Sequence, residues 1–168
     1  MRTSLFILLN FIDSGSNIKI AEIGTLHGDN AVDISINCPN SKIITIDNYS
    51  DGNEGMMVAM KEKIKPYNIE FIHKSSVEAA KDYPDGYFDY VYIDGEHSKE
   101  NVTKDILAWY PKVKKGGMLA GHDFWFDGVR KGVIPLALNN NLNLFFVGGF
   151  RDHVPTDLAK FYDWWIWK

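Results

Sequence analysis

The chain has 168 residues, 18 Lys+Arg against 22 Asp+Glu, and a formal net charge of −4. That length gives one domain with a full core, and 45% apolar with 24% charged residues is the composition of a folded globule. The mildly acidic balance supplies no long basic stripe, which argues against nucleic acid as a partner and leaves small-molecule chemistry as the expectation.

The lone cysteine, Cys38, excludes an intramolecular disulfide, cannot build a zinc–thiolate cluster, and points to a reducing, cytoplasmic compartment. No stretch reaches the ~18 apolar residues of a membrane span, so no membrane partner is expected. Arg2 ahead of the apolar run Leu5 to Leu9, Phe11 and Ile12 has the outline of a short signal peptide. Asn10 and Asp13 interrupt that run and no A-x-A-like cleavage site follows. A short helix packed against the core edge is the reading.

Short β-branched runs then alternate with helical stretches. Ile18 to Ile23 reads as a strand, Gly24 to Gly28 as a turn, and Asn30 to Asn37 as a helix stopped before Pro39. Lys42 to Asp47 is a second strand. Glu54 to Lys65 places Met57, Met60 and Ile64 at helical spacing and ends at Pro66. Ile69 to Ile72 is a third strand, and Ser76 is placed to N-cap a short helix reaching Lys81. Phe88 to Asp94 is the fourth strand, Lys99 to Trp109 a helix closed by Pro111, and Gly117 to Gly121 the fifth strand. Val129 to Leu138 reads as a helix kinked at Pro135.

Five β-then-α units imply a parallel sheet covered on both faces, an α/β doubly wound, Rossmann-like fold. Two strand-like runs follow, Leu142 to Val147 and Phe161 to Trp167. The second is apolar on both faces, with Phe161, Trp165 and Trp167 on one and Tyr162, Trp164 and Ile166 on the other, so it is expected between neighbours rather than at an edge.

Ligands in open α/β sheets bind beyond the carboxyl ends of the strands. Here those ends read Glu22 to Gly28, Asp47-Asn48-Tyr49, Lys74-Ser75-Ser76, Asp94-Gly95-Glu96-His97 and Gly121-His122-Asp123. The first loop is glycine-rich, letting backbone amides approach a ligand at a helix N-terminus. It is not G-x-G-x-x-G, because Glu22 stands where a dinucleotide fingerprint has its first glycine; that carboxylate suits a cation and repels a pyrophosphate. Asp47, about 20 residues after the glycine turn, is placed to accept both hydroxyls of a ribose. Together these indicate a nucleoside ligand without an obligatory pyrophosphate.

The E-x-G-x-x-x-G of Glu22, Gly24 and Gly28, with Asp47, resembles the first two motifs of the class I S-adenosylmethionine-dependent methyltransferases. F-D-Y-V-Y-I-D-G-E-H-S, followed by W-Y-P-K-V-K-K-G-G-M-L-A-G-H-D-F, is similar to the fourth- and fifth-strand blocks of the small-molecule O-methyltransferases of the macrocin and catechol type. The resemblance implies a seven-stranded mixed sheet with the last strand antiparallel and inserted beside the fifth. It implies that Glu22 and the loop Gly24, Thr25 to Gly28 hold the amino-acid portion of S-adenosylmethionine, with Asp94 also at the cofactor. Asp47 would hold the ribose, Asn48 or Tyr49 would lie beside the adenine, and Ser75 and Ser76 would border it.

In metal-dependent members of this group, carboxylates at the fourth and fifth strand ends bind a divalent ion. The corresponding set here is Asp94, His122 and Asp123, whose imidazole suits Mn²⁺, Fe²⁺ or Zn²⁺ better than Mg²⁺. His97 and Glu96 are the two candidate bases, His97 resembling the catechol-type catalytic lysine by position and Glu96 the macrocin-type acid. His27 is expected at the pocket; His73 and His153 have no such company. Members of the group often carry an extended N-terminal lid, and little precedes the first strand here. The acceptor pocket is therefore expected to be open, built by Phe124-Trp125-Phe126, the Gly148 to Pro155 loop and the tail, or completed by a second subunit.

The expected activity is metal-assisted O-methylation of a sugar, polyketide or catechol-like hydroxyl. A nicotinamide-dependent oxidoreductase, opposed by the Glu22 loop and the antiparallel tail, and a non-catalytic cofactor-binding protein, opposed by the polar set at Asp94–His97 and His122–Asp123, are the alternatives.

Overall fold

The computed structural model describes residues 1–12, 16–50, 52–147 and 163–168. Along the chain lie α1 (Thr3–Leu9), β1 (Lys19–Ile23), α2 (Asp29–Asn37), β2 (Lys42–Asp47), α3 (Glu54–Ile64), β3 (Ile69–His73) and α4 (Ser76–Ala80). Then come β4 (Phe88–Ile93), α5 (Lys99–Trp109), a 3₁₀ turn at Tyr110–Lys112, β5 (Val113–Gly121), α6 (Asp127–Asn139), β6 (Leu144–Phe146) and β7 (Trp164–Trp167).

The strands form a single seven-stranded sheet in the order β3-β2-β1-β4-β5-β7-β6. Strands β1 to β5 pair in parallel, and β7 is antiparallel to both β5 and β6. The chain winds outward from β1 to β3, then crosses back to lay β4 on the other side of β1. That reversal opens a crevice at the carboxyl ends of β1 and β4, where ligands bind in sheets of this kind.

Strand side chains alternate between the two faces, and the burial follows that alternation. Ile20, Ile43, Tyr90, Tyr92, Met118 and Trp165 pack with Leu5 and Leu8 of α1 and Ile34 of α2. Ala21, Ile44, Val91, Leu119, Trp164 and Ile166 pack on the opposite face with Ile106 and Trp109 of α5 and Val133 of α6. Trp164 and Trp165 thus lie on opposite faces of β7, as the alternation requires, and Trp167 packs beside Trp165. The Phe161, Tyr162, His153 and Gly148–Pro155 expectations fall outside the described residues.

Several boundaries differ from the sequence reading, most by a residue or two. Strand β5 starts at Val113 rather than Gly117, because buried Val113 pairs with Phe88 before a register shift brings Met118 opposite Tyr90. The cap of α4 is Ser75 rather than Ser76, and its hydroxyl makes no capping bond. Helix α6 starts at Asp127 rather than Val129 and contains Pro135, as the sequence reading placed it; the missing N–H leaves a carbonyl one turn earlier without its helical donor.

Candidate active site

The loops at the carboxyl ends are extensions of the sheet. Gly24 N–H bonds to Ile46 O at 2.9 Å, Asp94 N–H to Ile23 O at 2.7 Å, and His122 N–H to Ile93 O at 3.1 Å. Gly24 has φ 93, and a Cβ there would collide with the Asp94 carbonyl, so only glycine lets these two loops cross so closely. Between the loops lies a cavity of about 920 Å³, lined among others by Glu22, Asp47, Ser76, Asp94, His97 and Asp123. That volume suits a nucleoside-sized ligand.

Glu22 is 1% exposed. Its carboxylate accepts Asn30 Nδ2 at 2.8 Å and Thr45 Oγ1 at 2.6 Å. Thr45 spends its proton on Glu22, so Thr25, 2.7 Å from Thr45, is the donor to it. Burial pushes the Glu22 carboxyl up to about 7 despite those hydrogen bonds, because desolvation penalises the charged form.

Asp47 holds the glycine loop in place: Oδ2 accepts the Thr25 and Leu26 N–H groups, each at 3.0 Å, and Oδ1 accepts Tyr49 N–H at 2.9 Å. Asn48 lines the cavity. Tyr49 does not: it packs with Met60 and Ile64 and donates its hydroxyl to Leu26 O at 2.5 Å. Of the two residues expected beside the adenine, Asn48 or Tyr49, it is Asn48 that lines the cavity, while the Tyr49 ring supports the glycine loop from behind. Gly28 caps α2 with φ 75, while Gly24, Thr25, His27, Ser75 and Ser76 all line the cavity.

Asp123 is the hub of the other end. Its left-handed backbone, φ 57, follows the last sheet bond of His122. Oδ1 accepts Trp125 Nε1 at 2.9 Å; Oδ2 lies 3.0 Å from His97 Nε2 and 3.2 Å from His122 Nδ1. Burial alone would raise the Asp123 carboxyl, but the imidazoles of His122 and His97 close to it outweigh burial and hold it well below the usual carboxylate range. In return Asp123 raises His97 above its ordinary value. The His97 ring stacks on Phe126 with centroids 4.8 Å apart, and a Cβ on Gly128 would strike the His97 carbonyl. His97 is therefore fixed in place.

Glu96, the other candidate base, is exposed. Its carboxylate accepts the backbone and side chain of Ser98, at 2.9 and 2.6 Å, and Asn101 Nδ2. Those bonds hold it below the ordinary glutamate value, so it serves the start of α5.

Ligand atoms of Asp94, His97 and Asp123 all lie within 4.8 Å of one another. His97 therefore takes the place in this group expected of His122. The His122 ring approaches the acids through Nδ1, 3.8 Å from Asp94 Oδ1, and its Nε2 is buried without a hydrogen-bond partner among the described residues.

Two cavity residues carry no signal in the sequence. Arg2 reaches Asp94 Oδ2 with Nη2 at 3.1 Å and Asn30 Oδ1 with Nε at 3.1 Å. Asp105, on α5, has its carboxyl pushed up to about 6 by burial while Ser76 hydrogen-bonds to it; Trp109 Nε1 in turn donates to Ser76 Oγ at 2.8 Å.

Residues 21–124 match the family described as "Methyltransferase domain". An uncharacterised protein of Acanthamoeba polyphaga mimivirus is 28% identical over 123 residues, 64% of this chain and 52% of that protein; the match spans about half the length of that relative. A candidate caffeoyl-CoA O-methyltransferase from Staphylococcus aureus superposes with TM-score 0.71 at 18% identity, covering 100% of this chain and 84% of that one. A Geobacter metallireducens precorrin-6y C5,15-methyltransferase gives 0.67 at 15% identity, covering 97% and 87%. A Podospora anserina methyltransferase bound to S-adenosylhomocysteine gives 0.68 at 15% identity, covering 89% and 71%. At these identities the likeness is one of fold.

Proposed function

Because this chain belongs to the methyltransferase-domain family, we propose that it transfers the methyl group of S-adenosylmethionine to the hydroxyl of a small molecule, with His97 as the base. The observation that carries this reading is the His97–Asp123 pair, 3.0 Å apart, at the rim of a cavity whose other wall is the Glu22–Gly24–Asp47 loop. The sulfonium cofactor supplies an electrophilic methyl group, so the protein's task is to align the acceptor oxygen and take its proton. Neutral His97 accepts that proton, and the ionised Asp123 beside it stabilises the imidazolium that forms. Phe126 and Trp125 hold the pair in register. Glu22 and Asp94 face the amino-acid end of the cofactor, Asp47 the ribose, and Asn48, Ser75 and Ser76 the adenine. The acceptor class is a sugar, polyketide or catechol-like hydroxyl, and a second copy of the chain is proposed to complete its pocket. Neither nucleic acid nor membrane is a partner in this reading; no helix among the described residues is long and apolar enough to cross a membrane.

The converging donors of Asp94, His97 and Asp123 favour a second, metal-assisted reading. Two carboxylates and an imidazole fit Mn²⁺, Fe²⁺ or Zn²⁺ in preference to Mg²⁺, and a divalent ion held there would lower the pKa of an acceptor hydroxyl.

The test is transfer of a labelled methyl group to a panel of hydroxyl acceptors. His97→Ala should lose 10²- to 10⁴-fold in rate, roughly the worth of a general base. The wild-type rate should rise with pH through a midpoint above 6.5, because the neutral imidazole is the active form and Asp123 raises its pKa. A His97→Ala enzyme within about threefold of wild type overturns the assignment of the base. Activity abolished by a chelator and restored by Mn²⁺ or Fe²⁺ would favour the metal-assisted reading.

A further inference from the structure

Among the described residues, the end of the cavity nearest β1 and β4 is lined by acids, Glu22 and Asp94, with Asp123 beyond them. Such an end accepts an ammonium group and repels a carboxylate. Arg2 changes that balance. Its guanidinium sits between Asp94 and Asn30 and 5.3 Å from the Tyr92 ring centroid, and Asn30 hands the same chain of bonds on to Glu22. The guanidinium carries five N–H donors in a rigid fork, and the described residues engage only Nε and Nη2. The Nη1 edge has no protein partner among them. The lysines lining the cavity, Lys74 and Lys104, belong to the loop after β3 and to α5.

We propose that Arg2 is the carboxylate-binding residue for the amino-acid end of the S-adenosyl cofactor, so that α1 contributes directly to the ligand site. This rests on the cofactor reading above. A zwitterion of this kind needs both signs close together. Asp94 provides the negative partner and, through its Oδ2, also orients the guanidinium that provides the positive one. Arg–carboxylate recognition of this sort gives geometric specificity as well as affinity. In the alternative role Arg2 only fastens α1 to the sheet, and its removal would weaken every ligand equally.

Calorimetric titration of three ligands separates these roles: S-adenosylhomocysteine, its decarboxylated analogue, and 5′-methylthioadenosine, which lacks the whole amino-acid end. Wild-type protein should prefer S-adenosylhomocysteine over the decarboxylated analogue by roughly 10- to 100-fold, the worth of a charge-assisted hydrogen bond. Arg2→Ala should erase that preference while binding 5′-methylthioadenosine within about twofold of wild type. Arg2→Lys keeps the charge without the fork and should retain part of the preference; it also serves if alanine unseats α1. Equal loss for all three ligands, or an undiminished preference in both variants, overturns the assignment. Wild-type protein that binds S-adenosylhomocysteine and its decarboxylated analogue alike overturns the assignment alone. Wild-type protein that binds none of the three overturns the cofactor reading and the assignment with it.

Discussion

Two aspartate-centred networks lie beside Tyr92, one fully buried and one half-buried, and serve opposite ends. On one side Asp163, fully buried, accepts Ser4 N–H at 3.0 Å, Ser4 Oγ at 2.9 Å and Tyr92 OH at 2.8 Å. All its donors are neutral, and Ser4 Oγ is itself 2.7 Å from the Tyr90 hydroxyl. On the other side Asp94 and Asp123 face Arg2, His97 and His122 along an open cavity. A carboxylate saturated by neutral donors in a sealed core fixes one packing arrangement, here α1 against the sheet and the tail strand. A carboxylate facing a guanidinium and imidazoles beside a cavity keeps capacity for a ligand and for proton traffic. Buried acid alone identifies neither role; the partners do.

Breaking each cluster should therefore give different signatures. The largest effect is on turnover: His97→Ala removes the proposed base but leaves the core intact, so its rate should fall by about 10²- to 10⁴-fold with a melting temperature near wild type. Asp163→Ala is the converse. It strands the Ser4 and Tyr92 donors, costs about 3–5 kcal/mol of stability, and should lower the denaturant midpoint while leaving the folded fraction's affinity for 5′-methylthioadenosine, which does not engage Arg2, unchanged. If Asp163→Ala lost cofactor binding without losing stability, the division between the clusters would be wrong.

Glu22 sharpens the comparison because it is as deeply buried as Asp163 yet belongs to the cavity. Its folded carboxyl is raised to about 7, so the unfolded chain releases this proton first. Stability from this group is therefore highest at low pH, declines as pH rises from the unfolded value near 4.5 to about 7, and is flat above that. The full span is about 3 kcal/mol. Urea unfolding at pH 5 and pH 8 should show that decline in wild type and a smaller one in Glu22→Gln; identical declines would contradict it. The smallest expected effect is that of Glu96→Gln. Its carboxylate serves Ser98 and Asn101 on the surface, so the rate should stay within about threefold of wild type at every pH.

The parallel strands β1 to β5 and the position of the site were legible because they follow from local pattern, whereas the antiparallel last strand beside β5 was implied only by the family resemblance. Alternating apolar faces define β1 to β5, and each strand ends in a polar or glycine-rich loop. Glu22, Gly24, Thr25, Asp47, Asn48, Ser75, Ser76, Asp94, His97 and Asp123 all reach one cavity. What escaped depends on tertiary placement. Tyr49 sits in the right loop, but a left-handed backbone, φ 43, turns its ring under the glycine loop. His97 joins the acids in preference to His122 because Phe126 stacks on it and Asp123 reverses the chain after β5. Arg2 was unreadable as a site residue, since it reaches Asp94 only after α1 is docked by the Ser4–Asp163 bond, a contact across 159 positions of sequence. Asp105 looked like one more polar helix residue, and only the packing of α5 against Ser76 brings it to the cavity.

The crevice between β1 and β4 is proposed as an S-adenosyl site built on Glu22, Gly24 and Asp47. Calorimetric titration with S-adenosylhomocysteine and with NADH tests it most directly. The expected result is a micromolar complex with S-adenosylhomocysteine, on the order of −8 kcal/mol, weakened by about 1.5–3 kcal/mol in Asp47→Ala, and no complex with NADH. Binding of NADH with no detectable binding of S-adenosylhomocysteine would contradict it.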